Sequence, residues 1–147
     1  GRHRLLAGRL TLGQLMDVRR QIEPRLAELA AEQAGPDDLA RLEALMLRSC
    51  TAGNAGDYDL ADEVFHYRIA ELAGNALFLE IHDLIRQTRH EAGWRMRRAQ
   101  INSAEVIAVL GQQHRQIFDA IASRDAVRAG QAQLAHMDFV AGLVQRR

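Results

Sequence analysis

The feature that most constrains this chain is its punctuation: helix caps and breakers recur every 15–25 residues or so, while strand patterning is missing. No alternating β-branched run occurs, and aromatic residues make up only 5% of the sequence. Thr11 can cap a helix with apolar positions at Leu12, Leu15, Ile22, Leu26, Leu29 and Ala30, and Gly35-Pro36 ends it. Asp37 or Asp38 starts a second helix running to about Ser49. The stretch Thr51-Ala52-Gly53-Asn54-Ala55-Gly56 reads as a connector, with Asp57 or Asp59 capping a third helix to Ala73. Gly74-Asn75 breaks that helix, and Asn75 can cap the next, expected to reach about Trp94. Asn102 with Glu105 resembles a capping box for a helix to Ala122. Ser123-Arg124-Asp125 is a turn before a last helix over Ala126 to Gln145. The expectation is an all-α fold, an antiparallel bundle of six to seven helices joined by short connections.

A chain of 147 residues supplies one domain with one core. The 19 basic and 19 acidic residues cancel, so the basic excess of a free-standing nucleic-acid binder is missing. All the basic residues are arginine and alanine is abundant, which reads as genome composition rather than function. The single cysteine, Cys50, cannot form an internal disulfide. No apolar run is long enough to span a bilayer and no signal peptide opens the chain, so a cytoplasmic protein without membrane partners is expected. The start at Gly1 rather than Met leads us to expect a piece of something longer.

Function is suggested by polar residues that stand where the helical period calls for core. On the 59–73 helix the apolar arc is Ala61, Phe65, Ile69, Leu72 and Ala73. At about 100° per residue, Asp62 and His66 sit one turn apart on one border of that arc. Glu63, Tyr67 and Glu71 point to the other side. His114 falls near the middle of the face formed by Val106, Ile107, Leu110, Ile117, Phe118 and Ile121. His136 shares a stripe with Ala129, Ala132, Val140 and Leu143, and the alanines leave room beside its ring. An i, i+4 Asp/His pair can converge on one metal ion, and three imidazoles with one carboxylate suit Zn²⁺, Ni²⁺ or Mn²⁺. The alternative is that these are hydrogen-bonded core histidines.

Arg19 is a second anomaly, in the centre of the apolar stripe between Leu15, Ile22 and Leu26. A buried guanidinium must be paired. Either Glu23, one turn on, is its structural partner, or Arg19 faces the metal cavity and clamps a carboxylate ligand with its planar fork. His82 and His90 read as rim or surface residues and His3 as part of a frayed end. Arg86, Arg89, Arg95, Arg97 and Arg98 form a basic cluster, a solvated face or a contact for an anionic effector or neighbouring domain. Trp94 lies off the apolar arc and suggests a partner contact.

The run Asp62-Glu63-Val64-Phe65-His66, continuing Ile69-Ala70 and Ala73-Gly74-Asn75, resembles the D-x-x-F-H … I-A … A-G-N signature of the FadR-type C-terminal (FCD) domain of GntR-superfamily regulators. His114-Arg115-Gln116-Ile117 with Asp119-Ala120-Ile121 is similar to that family's H-R-x-I-x-x-A-I. Asp125 followed by Ala129, Ala132 and His136 resembles its D-x-x-x-A … H ending, and Arg19-Arg20-Gln21-Ile22-Glu23 with Leu29-Ala30-Ala31 its first-helix pattern. The match runs from about Leu12 to Leu143.

The resemblance implies a single effector-binding and dimerisation domain over residues 1–147, forming a homodimer. It also implies a divalent metal, zinc first, at Asp62, His66, His114 and His136, with a small organic acid beside it and Arg19 lining the cavity. A winged-helix DNA-binding domain precedes this domain in the family and is absent from this chain, so DNA would be reached only through it. Gln113 departs from the family, which often has an acidic residue before the third motif's histidine.

The rival class is a metal-dependent helical-bundle enzyme. Glu63-Val64-Phe65-His66 reads as E-x-x-H, but dinuclear bundles need two such motifs and this chain has one. No H-E-x-x-H and no Ser/His/Asp arrangement can be read from spacing, so an enzyme is not expected.

Overall fold

A computed structural model describes residues 2–91 and 102–145. Seven α-helices are formed among them: α1 (Arg2–Ala7), α2 (Leu12–Gln33), α3 (Pro36–Thr51), α4 (Ala55–Leu72), α5 (Ala76–Arg89), α6 (Ala104–Ala122) and α7 (Ala126–Gln145). No strand is present among the described residues.

Most boundaries follow from local chemistry. Thr11 and Gln14 close a reciprocal capping box at the start of α2, each side chain taking the other's backbone N–H, at 3.1 and 3.0 Å. Asn75 accepts from the Phe78 N–H and starts α5. Gly74 takes the left-handed φ of +76° that lets the chain turn between α4 and α5. Four expected boundaries move. Helix α3 starts at Pro36 with Gly35 as its cap, rather than at Asp37 or Asp38, because proline is tolerated in a helix's first turn. The cap of α4 is Asn54, whose side chain accepts from Asp57 N–H at 2.8 Å, rather than Asp57 or Asp59. Ser103, not Asn102, caps α6 by accepting from Val106 N–H. Helix α5 ends at Arg89 with His90 as its C-cap, short of Trp94. The segment at the start, expected to fray, forms α1 and packs against α5. Trp94, Arg95, Arg97 and Arg98 lie outside the described residues, as does the side chain of His3.

Helix α2 is the axis of the bundle, packing most extensively on α7 and also meeting α4, α5 and α6; α3 packs on α4 and α6. The main core gathers Leu26, Ala27 and Ala30 of α2, Leu42 and Met46 of α3, Phe65 and Ile69 of α4, Ile117 and Ile121 of α6, and Ala129 of α7. Two smaller apolar clusters lie apart from it, Met16 with Met137, Ala141 and Val144, and Tyr58 with Ile107 and Leu110.

Between the main core and these clusters every inward stripe turns polar for about one helical turn. Along α2 the order is Met16, Arg19, Glu23, Leu26. Along α4 it is Tyr58, Asp62, His66, Ile69; along α6, Leu110, His114, Ile117; along α7, Ala129, Gln133, His136, Met137. Helices α2, α4 and α6 cross this layer in one sense, α3 and α7 in the other, which makes the sequential pairs α3/α4 and α6/α7 antiparallel. A polar layer sealed by apolar layers on both sides is costly unless its groups satisfy one another, and this is where the candidate site sits.

Candidate metal centre

Asp62, His66, His114 and His136 are brought together by α4, α6 and α7. Each is buried, and their ligand atoms all lie within 4.8 Å of one another. His66 Nε2 is 3.1 Å from His114 Nε2 and 3.2 Å from Asp62 Oδ1; His114 Nε2 is 3.1 Å from the same oxygen. Bonds of about 2.0–2.1 Å to a tetrahedral ion would put ligand atoms roughly 3.3 Å apart. The three edges therefore already have nearly the dimensions of a coordination shell. The rings fill the space by mutual contact: His66 stacks on His136 at 5.3 Å between centroids, His114 meets both nearly edge-on, and Phe65 and Tyr58 close the far faces of His114.

The donor set suits a divalent ion. Burial pushes His136 and His114 towards the neutral form, and neighbouring rings add to this for both, while Asp62 opposes it. For Asp62, burial raises the carboxyl, but His66 first, and then the His114 and His66 ring nitrogens held against it, more than offset this and keep Asp62 well below the usual carboxylate range. Neutral imidazoles at His114 and His136 and an ionised carboxylate at Asp62 are the forms in which such side chains bind metal.

The outward nitrogens of two rings are engaged. Ser49 Oγ donates to Met46 O at 2.6 Å and lies 2.8 Å from His114 Nδ1. Gln113 Oε1 accepts from His136 Nδ1 at 2.6 Å.

A cavity of about 40 Å³ opens beside the cluster, room for a few water-sized groups. Its polar wall includes Arg19, Tyr58, Asp62, Arg89 and His136, and its apolar wall Leu110, Val140 and Leu143. Arg19 reaches this wall while paired along α2, with Nε 2.5 Å and Nη2 3.5 Å from the Glu23 carboxylate and Nη1 turned to Met16 Sδ. The structural partner read from the sequence is thus in place, and the guanidinium still lines the cavity. Arg89 Nη2 lies 3.8 Å from Asp62 Oδ2, and Tyr58 donates to Asp62 Oδ1 at 3.4 Å.

His82 departs from its expected rim position. It is buried in the polar layer, with its Nδ1 lacking a hydrogen-bond partner, and burial pushes it down to about 4 although Glu23 works the other way. His90 and Glu63 sit on the outer side of α4, where Glu63 bonds His90 Nε2 at 2.6 Å and Arg86 at 3.1 Å. Glu63 is therefore not part of the cluster, as its position on the helical wheel suggested.

Ser49 and Tyr58 are not singled out by the sequence, whereas Gln113 is noted there only as a departure from the family and Arg89 only as one of a basic cluster that could meet an anionic effector. Tyr58 was within reach of the period, one turn before Asp62, and Ser49 continues the Leu42–Met46 stripe. Nothing in the sequence separates Arg89 from the arginines around it.

A sequence model of the FCD domain family matches residues 14–139. The "Uxu operon regulator" of Haemophilus influenzae is 28% identical over 130 residues, 86% of this chain and 48% of that protein. The "HTH-type transcriptional regulator LutR" of Bacillus subtilis is 27% identical over 138 residues, 92% of this chain and 63% of its own length. Among solved structures, a GntR protein of Streptococcus agalactiae superimposes with a TM-score of 0.71 at 30% identity, covering 87% of this chain and 56% of that one. The chain spans about half to two-thirds of the length of these relatives, which are named as transcription regulators and not as enzymes. Family match, relatives and bundle agree: the chain belongs to the FCD domain family of GntR-type transcription regulators.

Proposed function

We propose that this domain senses a small organic acid through a divalent metal, zinc first, with nickel or manganese as alternatives, held by Asp62, His66, His114 and His136. The observation that carries the reading is the convergence of three imidazole nitrogens and one carboxylate oxygen within 4.8 Å, beside an arginine-lined cavity. A bound ion would supply Lewis acidity and open positions for acid oxygens. The residues of the chain do the rest. Arg19 and Arg89 attract the carboxylate, Tyr58 holds the Asp62 oxygen turned towards the cluster, and Leu110, Val140 and Leu143 cover the acid's apolar part.

In the full-length regulator, a cytoplasmic homodimer, the acid would alter DNA binding by a winged-helix domain outside this chain. The cavity is walled by α2, α4, α5, α6 and α7, so an acid that favours one arrangement of these helices shifts the population towards it. The size of the shift is set by the acid's differential affinity for the two states. No helix among the described residues is long and apolar enough to cross a membrane.

Elemental analysis of untagged protein purified without chelator, followed by thermal denaturation with small mono-, di- and tricarboxylates, tests this. About one metal per chain, and a metal-dependent rise in melting temperature with particular acids, is expected. No metal, and no rise when Zn²⁺, Ni²⁺ or Mn²⁺ is added, would leave the histidines as packed core residues.

A further inference from the structure

Two polar groups that the acid-sensing reading leaves unused, the buried Ser49 and the half-buried Gln113, lie behind the ligand rings rather than in front of them. A neutral imidazole carries one proton on two nitrogens, and the partner of one nitrogen decides whether the other presents a lone pair. Left free, a histidine side chain favours the proton on Nε2, which is the wrong form for a cluster built from Nε2 atoms.

Two side chains reverse that preference. Ser49 is fully buried, and its single hydroxyl proton is committed to Met46 O at 2.6 Å. What it offers His114 Nδ1, 2.8 Å away, is a lone pair, so Nδ1 must be the donor and Nε2 is left bare towards Asp62 and His66. Gln113 reaches the same result for His136 by other means. Its Oε1 can only accept, and it stands 2.6 Å from Nδ1. Gly111, one turn before His114, faces the same turn of α3. A Cβ there would lie 3.0 Å from Cys50 Cα and 3.4 Å from Ser49 O, tighter than ordinary contact, so glycine suits the close approach of α6 to the turn of α3 that carries Ser49.

We propose that Ser49 and Gln113 are positioning residues of the metal centre, each fixing the tautomer and ring angle of one ligand histidine. The inference rests on the metal reading above. Neither residue touches the ion, and both act through His114 and His136. Because both partners are neutral, they orient the rings without adding a third negative charge to a layer that already holds Asp62 and Glu23.

The test is zinc affinity, measured by competition with a chromophoric chelator, in wild-type protein and in Ser49→Ala, Gln113→Leu and Gln113→Glu. Loss of such an outer partner costs about 10–100-fold in affinity. Ser49→Ala and Gln113→Leu are expected to weaken zinc by that factor while still reaching one ion per chain, and to alter the visible spectrum of the cobalt-loaded protein. Gln113→Glu keeps an acceptor and is expected to bind at least as tightly as wild type. The metal-free variants should melt within a few degrees of metal-free wild type, because the change lies in the ring's orientation rather than the core. Zinc affinity and cobalt spectra unchanged in Ser49→Ala and Gln113→Leu would overturn the assignment while leaving the metal site standing. Wild-type protein that binds no zinc would overturn the metal reading itself, and this inference with it.

Discussion

Arg19 and Glu23, one turn apart on α2, form an ion pair of 2.5 Å in which both side chains are about 95% withdrawn from water. The pair touches the cavity beside the cluster on the Arg19 side and α7 on the other, where Gln133 Nε2 lies 3.5 Å from Glu23 Oε1. Such a pair is costly to break from one end, because the remaining charge stays buried.

Glu23→Gln is therefore expected to destabilise the domain by about 3–5 kcal/mol at neutral pH. Burial alone would raise the Glu23 carboxyl, but Arg19 and His82 bring it down to about 2 from its ordinary 4.5. Its folded value is depressed, so its contribution is fully present above pH 4.5 and is lost as pH falls towards 2. Chemical denaturation at pH 7 and pH 3 should show a smaller difference between variant and wild type at the lower pH.

The same pair separates the two roles of Arg19. Arg19→Met should abolish acid binding while metal content stays at wild-type level. Glu23→Gln leaves the guanidinium without its internal anion and should tighten acid binding several-fold. Calorimetric titration of both zinc-loaded variants checks this, and unchanged acid affinity in both would confine Arg19 to its structural pairing.

His114→Ala combined with His136→Ala removes two of the four candidate ligands and should reduce bound metal from about one per chain to near zero. For wild type, metal at a hundredfold excess over its dissociation constant adds about 2.7 kcal/mol, a rise of roughly 5–10 °C for a domain of this size. The double variant should lose that rise. Full stoichiometry in it would sink the four-residue site.

His82 makes a prediction of opposite origin. Burial pushes it to about 4, below the ordinary 6.5, so the unfolded chain takes up its proton first as pH falls. Its contribution is complete above pH 6.5 and is lost between pH 6.5 and 4, about 3 kcal/mol in all. In the presence of chelator, stability plotted against pH should fall less steeply across that window in His82→Gln than in wild type.

Gly111→Ala should cost about 1–3 kcal/mol, because the added carbon meets backbone of α3, at 3.0 Å from Cys50 Cα, rather than the far end of a flexible side chain. Gly53→Ala is the control, since a Cβ there meets nothing within 4 Å. Melting temperatures that fall equally in both would show that the α3/α6 contact is looser than its geometry implies.

Much of this domain is local chemistry, and local chemistry is legible in order. The capping box at Thr11, the break at Gly74-Asn75 and the period-3.6 stripes give the bundle, because caps and amphipathic faces act within a few residues of themselves. The same period singled out Asp62, His66, His114, His136 and Arg19, since a polar residue on an apolar stripe must face inward whatever it meets there.

What it meets is a tertiary matter. That the four candidate ligand atoms come within 4.8 Å of one another, that Ser49 stands behind His114 and Gln113 behind His136, and that Arg89 lines the cavity all depend on how α3, α5, α6 and α7 lie against α4 and one another. His82 shows the limit most clearly. It lies beside the apolar face of α5, and only the packing of that helix against α2 and α4 carries it under the surface to Glu23. The sequence by itself determined which side chains turn inward. The depth at which they stop, and the partner they find there, were decided by contacts between residues far apart in the chain, whose geometry no single helix encodes.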